Sequence, residues 1–217
     1  MSLTFYYLSG SPFSWRVWLA LEHKAVPYDF QLLRAEAGDL KSETYRHVNP
    51  HGKAPAIVDE GFALYESVAI LEYLEDRYAA SGRPIWPADV RRRAVARRMV
   101  AEADAYLYSP VRRCVEELLL RKDGAVDELV VQRARESAEQ ALALFASQVE
   151  GPYLLGSDPS GADFAAYPLT AMLARLDMRH PDRNFRGMLP PRLKHWQASV
   201  EALPYFDKTF PPHWRMG

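Results

Sequence analysis

Three serines, Ser9, Ser11 and Ser14, straddle Pro12 where an apolar aromatic stretch gives way to a helical pattern. A hydroxyl at the mouth of a helix can donate to an anion such as a thiolate. The unpaired N–H groups of the first helical turn add positive potential at the same place. Glu66-Ser67 opens a later helical pattern, where the Ser67 hydroxyl and backbone N–H can hold a carboxylate. Lys41 and Lys53 lie in polar segments between these points, as solvated side chains or as cations facing an anion. Other chemistries are poorly provided for. The single cysteine, Cys114, excludes an intrachain disulfide, a cysteine-based zinc site and a Cys-x-x-Cys redox centre, and reads as a small buried residue. The 6 histidines show no metal-ligand spacing.

The elements that must position these residues follow from periodicity and punctuation. Residues 3–8 are β-branched and aromatic and stop at Ser9-Gly10-Ser11-Pro12, which predicts a strand and a turn. From Phe13 the pattern is helical, with Val17, Leu19, Ala20 and Leu21 on one face, and Pro27 closes it. Tyr28–Leu33 is a second predicted strand, and a polar stretch from Arg34 to His47 follows. Ala56–Asp59 and Ala63–Tyr65 flank Glu60-Gly61, an antiparallel hairpin, and Ser67–Tyr78 is an amphipathic helix. The order β-α-β-(α)-β-β-α suits a small α/β domain over 1–81. Gly82-Arg83-Pro84-Ile85-Trp86-Pro87 marks a linker over 82–88, and 89–217 reads as all helix. Its predicted helices are Asp89 to about Leu120 with a kink at Pro110, Asp127–Glu150, a third opened by the Ser160–Asp163 capping box and running through Leu173, and Leu193–Ala202.

The chain is 48% hydrophobic and 12% aromatic with a formal charge of -1, a folded rather than disordered composition. Residues 1–87 carry 8 basic and 11 acidic side chains, and 88–217 carry 19 and 17. Neither part has the surplus that phosphate-dominated nucleic-acid binding needs, so the Arg91–Arg93 and Arg97-Arg98 cluster reads as a solvated face or a subunit contact. No stretch approaches the roughly 18 apolar residues of a membrane span, and no basic-then-apolar leader opens the sequence. The expectation is a cytoplasmic protein with neither nucleic-acid nor membrane partners.

Four pieces of sequence together resemble the glutathione transferase superfamily. They are Ser11-Pro12-Phe13 with Arg16-Val17, Asn49-Pro50-His51-Gly52-Lys53-Ala54-Pro55, Glu66-Ser67, and the Ser160–Asp163 box followed by Phe164. They occur in family order and spacing over essentially the whole chain. Ser-Pro-Phe is similar to the serine-using tau class, and to zeta- and theta-like classes; cysteine-using relatives read Cys-Pro-Phe there. The resemblance implies a thioredoxin-like α/β N-terminal domain and an all-α C-terminal bundle. It implies Ser11 as the residue that activates the glutathione thiol. Ser9, Ser14 as a helix cap, and Tyr6 or Tyr7 in the manner of tyrosine-using classes are the competing readings. Phe13, Lys41, Lys53, Ala54, Pro55, Glu66 and Ser67 are then the glutathione-binding set. Pro55 is expected cis, with Ala54 pairing to the cysteinyl backbone and Glu66 facing the γ-glutamyl ammonium. Lys41, eight residues before Asn49, matches a tau-class lysine for the glycyl carboxylate.

Tyr108 and Arg112 share a helix face four residues apart. A similar pair lines the electrophile pocket of tau-class relatives, and a Tyr packed on an Arg stem is the alternative. Trp214, in the Pro211-Pro212-His213-Trp214 tail, is a further candidate for covering that pocket. The implied activity is homodimeric glutathione conjugation to a small hydrophobic electrophile, with glutathione as co-substrate and no cofactor or metal. The alternatives are peroxide reduction, isomerisation or dehalogenation on the same site, and a non-catalytic ligand-binding or assembly module.

Overall fold

The computed structural model describes residues 3–215, which divide into two compact units: 3–86 with 204–215, and 87–203. The first unit is built on β1 (Leu3–Tyr7), α1 (Pro12–His23), β2 (Tyr28–Leu32), α2 (Glu43–Val48), β3 (Ala56–Asp59), β4 (Phe62–Tyr65) and α3 (Ser67–Arg77). The sheet is mixed, in the order β2-β1-β3-β4. β1 and β2 run parallel because α1 crosses between them, while β1, β3 and β4 pair antiparallel. Glu60 (φ 50°) and Gly61 (φ 88°) turn the β3–β4 hairpin; two left-handed residues match the twist of the strands they join. The period of two along β1 buries Leu3 and Phe5 on one face. Tyr6 packs on the other with Leu33, Ala56 and Tyr45 of α2. That leaves the Leu3 and Phe5 face for α1 and α3, which pack together.

The end of the chain departs from the division expected of the sequence, which ran the helical domain through 217. Residues 204–215 form α9 (Phe206–Thr209) and a 3-10 turn (Pro212–Trp214), and they pack on α1. Trp15 of α1 is ringed by Phe206, Phe210 and Trp214 at 6.1, 5.6 and 5.5 Å between ring centres. Its indole N–H donates to Thr209 Oγ1 at 3.0 Å. At the far end of α1, buried His23 donates from Nε2 to the Pro84 carbonyl (3.1 Å). Because a carbonyl can only accept, Nδ1 of the neutral ring takes the Tyr205 hydroxyl proton (2.8 Å).

The second unit holds α4 (Val90–Glu102), α5 (Tyr108–Val115), α6 (Glu128–Gln148), α7 (Gly161–Arg179) and α8 (Pro191–Glu201). Asp89 and Asp127 cap α4 and α6, each through one carboxylate oxygen on two backbone N–H groups. The expected kink at Pro110 takes the form of a π turn, Ala103–Leu107, in which the Tyr108 N–H reaches back to the Ala103 carbonyl. The wider turn accommodates a proline that cannot continue the α ladder. α7 is longer than the sequence predicts and contains Pro168. Its first eleven residues are all buried, so packing outweighs the lost hydrogen bond. The capping box at Ser160 forms, and it is the smaller part of what Asp163 does. The wholly buried Asp163 carboxylate accepts from Ser160 N and Oγ (2.8 and 2.9 Å), Leu154 N (2.8 Å) and Trp196 Nε1 (2.8 Å).

Two stability predictions result. A cap alone is worth about 0.5–2 kcal/mol, but Asp163→Ala orphans buried donors and should cost about 3–5 kcal/mol in urea unfolding. Burial, aided by Arg83 and Lys24, pushes the His23 pKa down from 6.5 to about 4. Between those values the unfolded chain binds a proton that the folded one refuses. Stability should therefore fall as pH drops from 6.5 to about 4, by about 3 kcal/mol in all. Urea unfolding at several pH values should show a shallower acid loss for His23→Gln over that window.

Candidate active site

The register of the sheet brings three separate stretches to one end of it. Tyr6 pairs with Ala56, and Ala56 pairs with Tyr65. The next residues, Tyr7, Pro55 and Glu66, therefore lie side by side where β1 leaves the sheet toward Ser11, and where β3 begins and β4 ends.

The first stretch is the turn 8–11. The Ser11 N–H bonds the Leu8 carbonyl (3.1 Å), and Gly10 takes φ +79°, a conformation that disfavours any side chain. Ser11, with extended backbone (φ -71°, ψ 126°), is the N-cap of α1 and Pro12 its first residue. Ser11 Oγ accepts the Ser14 N–H at 3.3 Å. That bond uses a lone pair and leaves the hydroxyl proton to donate outward. Ser14, expected as a cap, is buried inside the helix, and its hydroxyl oxygen takes the Leu8 N–H at 3.2 Å. Ser9 Oγ meets His213 Nδ1 at 3.1 Å. Tyr6 and Tyr7 behave as core. Tyr6 packs on Tyr45, and the Tyr7 ring lies among Phe5, Trp18 and Phe30, with its phenol pKa raised by burial.

The second stretch is 49–55. Buried Asn49 donates from Nδ2 to the Lys53 carbonyl (2.6 Å), as does the Tyr45 hydroxyl (2.6 Å), while Asn49 Oδ1 accepts the His51 N–H (3.0 Å). This frame presents Ala54 and a cis Ala54–Pro55 bond ahead of β3. Lys53 is exposed, as is Lys41 in the 3-10 turn Asp39–Lys41. The two segments touch: a Cβ at Gly52 would stand 2.5 Å from the Leu40 carbonyl oxygen.

The third stretch is the start of α3. Glu66 holds φ 69°, a left-handed conformation for a non-glycine residue of the kind found where a ligand is clamped. It turns the chain so that buried Ser67 opens the helix. Ser67 Oγ accepts from Nη1 of Arg16 at 3.1 Å. Arg16 is 1% exposed and its guanidinium lies 5.2 Å from the centre of the Phe13 ring. The sequence reading did not place this arginine in the site. The signal was there, a cation inside an otherwise apolar helix, since arginine is almost never fully buried without partners. Arg16 ties the helix of Ser11 to the helix of Ser67, and with two helix N-termini and the lysines makes a region suited to an anionic, extended ligand.

In the second unit, Tyr108 and Arg112 lie one turn apart on α5, and Arg112 Nε pairs with Glu116 at 2.7 Å. Cys114 is buried there and burial pushes its thiol up to about 11, so it stays protonated and unreactive. Trp214 lies in the first unit, buried against Trp15 and Phe210. Among the described residues no cluster of His, Cys, Asp and Glu is grouped to hold a metal ion, and no helix is long and apolar enough to cross a membrane.

This fold is that of glutathione transferases. Residues 10–77 match the glutathione S-transferase N-terminal domain and 128–197 the C-terminal domain. The chain is 28% identical to glutathione S-transferase 3 of Zea mays over 95% of its own length and 92% of that protein. It is 32% identical to probable maleylacetoacetate isomerase 2 of Drosophila melanogaster, over 71% of this chain and 67% of the other. The crystal structure of a glutathione S-transferase from the Antarctic clam Laternula elliptica superposes with a TM-score of 0.83 at 26% identity, covering 100% of this chain and 95% of that one. The chain belongs to the glutathione S-transferase family.

The frame and the groups it presents should separate under mutation. Asn49→Ala removes the two side-chain bonds that Asn49 makes to 51–53, leaving the Tyr45 hydroxyl on the Lys53 carbonyl, and should cost about 2 kcal/mol in chemical denaturation. Lys53→Ala, at an exposed position, should stay within about 0.5 kcal/mol of the parent.

Proposed function

We propose that this chain is a glutathione transferase that binds glutathione across the three stretches and attacks a small hydrophobic electrophile with the thiolate. The observation that carries the reading is the juxtaposition of a helix-capping hydroxyl with a free proton, Ser11, with the Ala54–Pro55 edge and the Arg16-bound Ser67. Ala54 offers its backbone N–H and carbonyl to the cysteinyl unit as an added strand would. Ser67, at the positive end of α3, takes the γ-glutamyl carboxylate, and Glu66 the adjacent ammonium. Lys41 and Lys53 face the glycyl carboxylate, and Phe13 packs beside the bound peptide.

The chemistry asked of Ser11 is modest. A thiol with pKa near 8.5 is only about a few per cent ionised at neutral pH. Lowering that value by roughly 2 units takes about 2.7 kcal/mol. A hydrogen bond to a charged acceptor contributes about 1.5–3 kcal/mol and a helix N-terminus about 0.3–1. No general base is needed. The thiolate then attacks an electrophile held by the helical unit, where Tyr108 and Arg112 are the candidate contacts. Trp214 is then a support for α1 behind the thiol site. A second reading, glutathione-dependent isomerisation, is favoured by the 32% identity to a probable maleylacetoacetate isomerase. It uses the same thiolate, added to and expelled from the substrate. As for its relatives by family habit, a homodimer is proposed; gel filtration at twice the chain mass supports it and a monomer removes it.

Ser11→Ala should raise the bound thiol's pKa by roughly 1–2 units, read from thiolate absorbance, and lower turnover at neutral pH about ten- to hundredfold. Glutathione affinity should change little. Lys53→Ala and Ser67→Ala should do the reverse, raising the glutathione KM and leaving the thiol pKa in place. A titration curve unmoved by Ser11→Ala but moved by Ser9→Ala or Tyr7→Phe would transfer the role elsewhere.

A further inference from the structure

The tail does more than cover the back of α1. Ser9 Oγ and His213 Nδ1 are 3.1 Å apart, joining residues 204 positions distant in sequence. A Cβ on Gly10 would stand 3.0 Å from His213 Cε1, 3.1 Å from His213 Nε2 and 3.2 Å from Trp214 Nε1, so the tail lies flush on the peptide before Ser11. Trp214 is buried against Trp15, four residues into α1. Between turn and tail only a cavity of about 10 Å³ is left, lined by Tyr7, Ser9, Ser11, Trp15, Thr209 and Pro211. That is no more than one water needs.

Within the turn 8–11, Leu8 is held by Ser14, and Ser11 by its bond to Leu8, by the Trp15 N–H on its carbonyl (2.9 Å) and by the Ser14 N–H on its hydroxyl. Gly10 between them is intrinsically free, and the Ser9 side chain is the polar anchor of the middle of the turn. A hydroxyl that must donate along one direction loses most of its effect when its backbone can rock, because hydrogen bonds weaken steeply with angle. We propose that His213 is a positioning residue for Ser11: bonded to Ser9 and pressed on Gly10, it fixes the turn from which the Ser11 hydroxyl addresses the glutathione thiol. The inference rests on the glutathione reading above for its chemistry, and on the tail packing alone for its mechanics.

The test uses His213→Ala, His213→Asn, Ser9→Ala and the Ser9→Ala/His213→Ala pair in the full chain. Thiolate absorbance with glutathione bound reads the chemistry. Amide exchange of Ser11 without glutathione reads the turn. His213→Ala should raise the bound thiol's pKa by about 0.5 unit, about a threefold loss of thiolate at a fixed pH well below that pKa, and lower kcat there with little change in the glutathione KM. Ser9→Ala should match it, and the pair should go no further than either single change, since both cut one link. His213→Asn, whose amide can still bond the Ser9 hydroxyl as donor or acceptor, should recover more than half the effect. Ser11 exchange should quicken in each variant that shifts the titration. Unchanged titration and exchange in His213→Ala overturns the proposal, as does a Ser9→Ala effect that adds fully to it. A parent chain with no glutathione thiolate band removes the glutathione reading, while amide exchange still judges the His213 contact.

Discussion

An arginine with 1% of its surface exposed, Arg16, is the constraint around which the first unit is arranged. A cation in that position is tolerated only where polar partners and a ring face replace water, and Arg16 has the Ser67 hydroxyl and the Phe13 ring in those roles. Meeting that demand requires α1 and α3 to start at adjacent corners of the sheet. The start of α1 is Ser11 and the start of α3 is Ser67, so one buried charge sets the separation of the two hydroxyls. The second unit uses the same device with the opposite sign. Asp163 is wholly buried and gathers the start of α7, the segment at Leu154 and Trp196 of α8. In each unit a helix start is held by a charge that has nowhere else to go.

The cap and the role proposed for the Ser11 hydroxyl do not compete. Capping draws on an oxygen lone pair, and the proposed thiolate stabilisation would draw on the proton. This separation explains why serine can serve at a helix mouth where alanine would lose both the cap and the chemistry. It also explains the placement of Ser14, whose side chain is turned inward to the Leu8 N–H and leaves the cap position to Ser11.

Much of this was legible in the residues. The first strand, the Glu60-Gly61 hairpin and the Ser160–Asp163 box are local features, decided by neighbours a few positions away, and local pattern carries them; the cis bond before β3 was implied by the family resemblance. What escaped notice is set by distant partners. The tail's attachment to α1 depends on Trp15 meeting Phe206, Phe210 and Trp214. The hint was a helix apolar on more sides than one sheet can cover, with Trp15 and Trp18 outside the predicted stripe. Asp163 announced a cap, but its bonds to Leu154 and Trp196 arise from tertiary packing that spacing does not encode. Pro168 likewise argues locally against the helix that burial imposes on it.

The return of residues 204–215 to the first unit has a consequence for the order of synthesis. A nascent chain that has released residues 1–86 has its four strands and first three helices, yet the rings that enclose Trp15 and the hydroxyl that meets His23 are not yet made. The first unit therefore closes last, after the helical unit has been translated in full. Until residues 204–215 emerge, one side of α1 presents an indole and a desolvation-prone imidazole to whatever is nearby, close to the helix start that carries Ser11.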